Sequence, residues 1–139
     1  MSETTEHHAR VVWQGGKRDL RAHEIELADQ TIAGSSAADL GGDPAKADPE
    51  ELFVASVSAC HMLWFLDFAR RNRLRVLSYQ DDPVGTMDGE RFLDVILRPR
   101  VKFTTDVPQE IVRGLHDRAH AACFIANSVT CEVQVEMTD

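Results

Sequence analysis

Three features of the sequence predict an α+β fold. Hydropathy alternates with period two over His23–Leu27 and Val129–Met137, the mark of strands with one buried face. A long apolar stretch, Leu52 to Ala69, follows a strong helix start. The element order is strands, long helix, strands, helix, strand, which is not the strand–helix alternation of a parallel sheet.

Taken in order, residues Met1 to His8 are polar and without periodicity, and read as a loose end. Ala9–Trp13 reads as a short strand, Gly15–Asp19 as a turn, and His23–Leu27 as a second strand. Gly34 to Ala47 is rich in Gly, Ala, Ser and Asp, with Pro44, and reads as a long loop. Asp48 then serves as N-cap, Pro49 as the first helical residue and Glu51 as the reciprocal member of a capping box. The helix should run to about Asn72, where Arg70, Arg71 and Arg73 meet its negative end. Its length would suit a membrane span. Ser56, Ser58, His61 and Asp67 within the run favour instead a central helix buried all round. A small domain seldom covers a helix on every face, so a homodimer is expected to complete the burial. Leu74–Tyr79, Arg91–Leu97 and Val101–Phe103 read as strands, with a hairpin turn at Met87–Glu90 and an edge or bulge at Pro99. Thr105 to Glu110 starts a second helix reaching about Ala122, and Val129–Met137 forms the last strand.

The 139 residues suffice for one domain, 1–139. Lys and Arg total 15 against 23 Asp and Glu, a formal charge of −8, which disfavours a nucleic-acid partner. No secretory segment follows Met1, so a cytoplasmic location with no membrane anchor is expected. Three cysteines in such a chain argue against a disulfide scaffold and leave packing, metal binding or catalysis. Cys131 falls on the apolar side of the last strand and reads as core. Cys60 lies deep in the first helix and Cys123 at the end of the second. Both fit packing, and both fit chemistry. His116 and His120, spaced i, i+4 ahead of Cys123, offer a weak zinc-ligand pattern with no CxxC or HExxH beside it.

Two segments taken together are more specific. Asp48-Pro49-Glu50-Glu51-Leu52-Phe53 leading to Ala59-Cys60, and Ala119-His120-Ala121-Ala122-Cys123, resemble the two cysteine signatures of the OsmC/Ohr family. Gly15-Gly16-Lys17-Arg18-Asp19 and Leu40-Gly41-Gly42 resemble that family's N-terminal segments. The resemblance extends from about Val11 to Glu136. It implies antiparallel sheets around a long buried helix, in an intertwined homodimer with sites at the subunit interface. It implies thiol-dependent reduction of organic hydroperoxides, and of hydrogen peroxide as a further substrate, with a thiol or dithiol reductant and no cofactor. Cys60 would be the peroxidatic thiolate, Cys123 the resolving thiol, Arg18 the activating cation and Glu50 the acid that holds it. One residue is inserted in the Gly-Gly-Lys-Arg segment, which makes Arg21 a rival for Arg18. Phe124 stands where proline often follows the second cysteine. These departures point to a less-characterised branch.

Glu50 precedes Cys60 by ten residues, about 15 Å of helix rise, so the two are expected to meet only across subunits. A second reading is a non-catalytic protein that binds a hydrophobic ligand in the dimer pocket. The third is a metal module built on His116, His120 and Cys123.

Overall fold

The computed structural model describes residues 3–15 and 19–138, and these divide into two compact units, one up to Leu52 and one from Phe53 onward. The first holds β1 (Arg10–Val12), β2 (His23–Leu27) and β3 (Gln30–Gly34), an antiparallel sheet in that order. Val11 faces Ile25, and Ile25 faces Ile32. Strand β3 was not anticipated in the sequence, and it ends at Gly34, where the expected loop begins. Its hairpin turn places Ala28 at φ 53°, a conformation usually given to Gly, Asn or Asp, so no turn residue announced it. The loop after β3 is tied back by hydrogen bonds from Ser35 N–H to Ala47 O (2.8 Å) and from Ala47 N–H to Ala33 O (3.1 Å). Residues 3–8 of the expected loose end belong to no helix or strand. Gly16, Lys17 and Arg18 of the expected turn lie outside the described residues.

Helix α1 spans Pro49–Arg71. Its capping box forms as the sequence requires. Glu51 N–H donates to Asp48 Oδ1 at 2.7 Å, and Asp48 N–H donates to Glu51 Oε1 at 3.0 Å, a cap worth about 1 kcal/mol. At its other end Leu74 N–H reaches Ala69 O at 2.9 Å, and Arg73 takes the left-handed conformation, φ 58°, where glycine is usual. By length and composition alone this helix could cross a membrane. In the structure Val57, His61, Phe65, Phe68 and Ala69 are its buried residues, all on the side that packs into the second unit. Ala55, Ala59 and Leu63 stand exposed four residues apart, so within one chain the expected burial on every side is not reached.

The second unit continues with β4 (Val76–Asp81), β5 (Val84–Met87), β6 (Phe92–Leu97), β7 (Pro99–Phe103), α2 (Gln109–Ala122) and β8 (Glu132–Val135). Strands β4 and β7 pair antiparallel, and β5, β6 and β8 form a second sheet in that order. Two pairings differ from expectation. The turn at Met87–Glu90 joins β6 to β5 rather than to β4, and β8 runs parallel to β6. Strand β5 was hidden by Gly85, which weakens strand propensity. Its lack of a side chain is structural: a Cβ there would lie 2.7 Å from both Phe92 and Val54. Pro99 opens β7, a position where its missing N–H does no harm.

Helix α2 buries Val112, Leu115, His116 and Ala119 at i, i+3, i+4, i+7 spacing. These meet Phe65, Phe68 and Ala69 of α1 to make one core cluster, while Val57 joins Val95, Leu97 and Val133 in another. Cys131 packs half-buried against the second cluster.

Candidate thiol site

Cys60 and Cys123 reach each other because α1 and α2 share a core. Cys60 sits mid-way along α1, partly exposed. Cys123 is the residue that ends α2, is 1% exposed, and has turned to extended backbone (φ −64°, ψ 113°). Their thiols are neighbours, close enough for each to bear on the other's ionisation. Burial pushes the Cys123 thiol above its ordinary range, and the adjoining Cys60 thiol pushes the same way. The Ala126 N–H, donated to Cys123 Sγ at 3.4 Å, opposes this in part. All three cysteines are free thiols.

Cys60 lines a cavity of about 320 Å³ with Leu63, Trp64, Asp67 and Phe124. The walls are mainly aromatic and aliphatic. Trp64 and Phe124 meet edge-on, ring centroids 5.4 Å apart. The polar member, Asp67, accepts hydrogen bonds from Arg70 (2.9 Å) and Arg71 (2.8 Å). The Arg70 bond, with help from Arg71, holds its carboxyl below the usual range. Leu63 and Trp64, one turn on from Cys60 along α1, line the cavity. Phe53 and Val57 belong to the second core cluster instead. Phe124, Asp67 and the buried His61 are parts of this region that sequence reasoning did not single out as site residues. Phe124 did carry a signal in the sequence, as a large apolar residue beside the second cysteine where proline often stands, and in the structure it is 66% exposed.

The other expected members are distributed as follows. Arg18 lies outside the described residues. Its rival Arg21 is in the first unit, its guanidinium against Gly41, where an added Cβ would lie 3.1 Å from Arg21 Cζ. Glu50 is in the first turn of α1, and its Oε2 is buried with no hydrogen-bond partner among the described residues. The zinc pattern does not assemble. His116 points into the core, where its Nδ1 meets His61 Nε2 at 3.0 Å, while His120 is exposed. Among the described residues no group of three or more His, Cys, Asp or Glu is placed to hold a metal ion.

Two neighbouring thiols, one on a long helix and one at the end of a second, beside an apolar cavity in an α+β frame, define a class of cysteine-bearing protein. Residues 41–138 match the family model described as OsmC-like protein, and the chain belongs to that family. A solved OsmC-like protein of unknown function from Vibrio cholerae is 36% identical, covers 97% of this chain and 100% of its own, and superposes with a TM-score of 0.88. The fold is shared more distantly with an organic hydroperoxide resistance protein OsmC from Legionella pneumophila (20% identity, 98% and 97% coverage, TM-score 0.71). It is also shared with the organic hydroperoxide resistance protein OhrB of Bacillus subtilis (22% identity, 94% and 98% coverage, TM-score 0.65). No curated protein matches the chain.

Proposed function

We propose that this protein is a thiol-dependent peroxidase that reduces organic hydroperoxides. The observation that carries the reading is the closeness of the Cys60 and Cys123 thiols beside an apolar cavity that Cys60 lines. The Cys60 thiolate attacks the distal oxygen of a hydroperoxide, the O–O bond breaks, and the alkoxide leaves as an alcohol after taking a proton. Cys60 is then a sulfenic acid. The Cys123 thiol attacks that sulfur, forming the disulfide and releasing water. An external dithiol returns both cysteines to thiols by exchange. The cavity walls favour an alkyl hydroperoxide over hydrogen peroxide, because an apolar surface gains by excluding water from an apolar chain.

In this reading Arg18, or its rival Arg21, is the cation that favours the Cys60 thiolate. Glu50 holds that arginine, and its buried, unpartnered Oε2 suits an acceptor that a donor must satisfy. Ten residues along α1 keep Glu50 about 15 Å from Cys60. The arginine–glutamate pair of one chain therefore serves the thiols of a second copy in a homodimer. The exposed Ala55, Ala59 and Leu63 on α1 supply an apolar face with two small residues that let another helix approach.

The test is consumption of cumene hydroperoxide by the purified protein with dithiothreitol. Cys60→Ser should lower the rate by about 100-fold or more, as removal of a nucleophile does. Undiminished turnover in that variant refutes the reading. The apolar cavity also favours a second reading, a carrier of a hydrophobic ligand. It requires a bound ligand in the purified protein and binding that survives Cys60→Ser.

A further inference from the structure

The proposed chemistry leaves one buried polar pair unused. His61 and His116 are 1% and 2% exposed, and their rings lie parallel within 8°, centroids 5.2 Å apart. One donates an N–H to the other between His61 Nε2 and His116 Nδ1 at 3.0 Å. His61 Nδ1 is buried with no partner among the described residues, and Phe65 closes against His116 at 4.4 Å between centroids. Two apolar residues of like volume would fill this space more cheaply, since a buried donor or acceptor without a partner carries a desolvation cost.

The place of the pair in the fold gives it a use. His61 belongs to α1, one residue after Cys60. His116 belongs to α2, seven residues and nearly two turns before Cys123. Apart from the neighbouring thiols themselves, no other polar pair among the described residues joins α1 to α2 or its capping cysteine. The rest of the helix–helix contact is mainly Phe65, Phe68 and Ala69 against Val112, Leu115 and Ala119, with the Arg118 guanidinium lying over the Phe68 ring at 4.3 Å. Such apolar packing is non-directional and tolerates a small slide. A disulfide does not, because its Cα atoms must stand about 4.4–6.8 Å apart with the Cβ vectors converging. Burial keeps both imidazoles neutral, aided at His116 by its neighbour His61 and then by Arg113, so a single shared hydrogen persists.

We propose that His61 and His116 are positioning residues, whose hydrogen bond sets α2 against α1 so that Cys123 can close on Cys60. This rests on the peroxidase reading only for its purpose, since the clamp concerns disulfide closure by any oxidant. Three variants test it. His116→Phe keeps a buried ring without the hydrogen bond. His116→Asn places a polar atom where Nδ1 stands, and His116→Gln places one where Nε2 stands, away from His61. The readouts are the Cys60–Cys123 equilibrium in a buffer of oxidised and reduced dithiothreitol, the share of Cys60 driven to sulfinic acid by a small excess of hydroperoxide, and the thermal midpoint.

The expected result is that Phe and Gln shift the equilibrium about tenfold toward the dithiol and raise sulfinic acid, as a misplaced resolving thiol must. Asn should stay within about threefold of wild type. The thermal midpoint should not track these changes. Equal equilibria in all variants overturn the proposal. If His116→Phe does not fold, the comparison of Asn with Gln decides by itself, and matching values for the two overturn it. A protein that closes the disulfide in the redox buffer but ignores hydroperoxides refutes the peroxidase reading and leaves the clamp standing.

Discussion

Cys60 and Cys123 occupy unlike surroundings although they are neighbours. Cys60 opens on a cavity, while Cys123 is buried and its thiol is pushed up by that burial and by Cys60. Only a thiolate alkylates readily, so both access and ionisation slow Cys123. Treatment with limiting N-ethylmaleimide near neutral pH, followed by peptide mass analysis, should show Cys60 labelled about tenfold or more ahead of Cys123. Preferential labelling of Cys123 would contradict the assigned surroundings. Both cysteines stood out in the sequence through the residues around them. The burial of His116 did not, because an i, i+4 pair of histidines draws attention to metal ligands. The apolar spacing Val112, Leu115, Ala119 would have placed His116 on the inner face and His120 outside it. His61 carried no local sign of a partner 55 positions away.

At the scale of elements, the His61–His116 bond joins the two helices and makes their packing sensitive to acid. Burial lowers the His61 pKa to about 4 and the His116 pKa to about 3. The unfolded chain takes up protons on both near the ordinary 6.5, while the folded chain refuses them until much lower pH. Between these values the unfolded state binds more protons, so stability rises with pH. The full contribution is present above about pH 6.5, and it drains away on acidification toward pH 4. The thermal midpoint should fall by several degrees, on the order of 5 °C, between pH 7 and pH 5. His116→Phe should flatten that slope, and an equally steep slope in the variant would contradict this account. Helices were legible because their signals are local: the Asp48–Glu51 box, the charges at the α1 ends and the spacing of α2. Strands β3 and β5 were not. Ala28 holds a turn that sequence usually gives to glycine, and Gly85 reads as a breaker until Phe92 and Val54 are seen against it. The parallel pairing of β8 with β6 joins residues about 40 apart, a register no local pattern encodes.

For the molecule as a whole, the apolar length of α1 exceeds what one chain covers. Ala55, Ala59 and Leu63 remain exposed on one helical face, the face proposed here for the homodimer contact. In the proposed homodimer that face meets its copy, so Ala59→Glu should convert a particle of twice the chain mass into a monomer in light scattering. A wild-type monomer would contradict the homodimer, and a dimer indifferent to the substitution would place the contact elsewhere. Family membership was legible in the Asp-Pro-Glu opening of α1 and the two cysteine segments, and the match over residues 41–138 agrees. The central claim is that Cys60 and Cys123 work as a redox pair. Its most direct test is intact and peptide mass analysis of the fully reduced protein after one equivalent of cumene hydroperoxide. The account predicts loss of two hydrogens per chain and a cross-linked peptide joining Cys60 to Cys123, with Cys131 still a free thiol. Unchanged mass with both thiols free and the hydroperoxide unconsumed would contradict it.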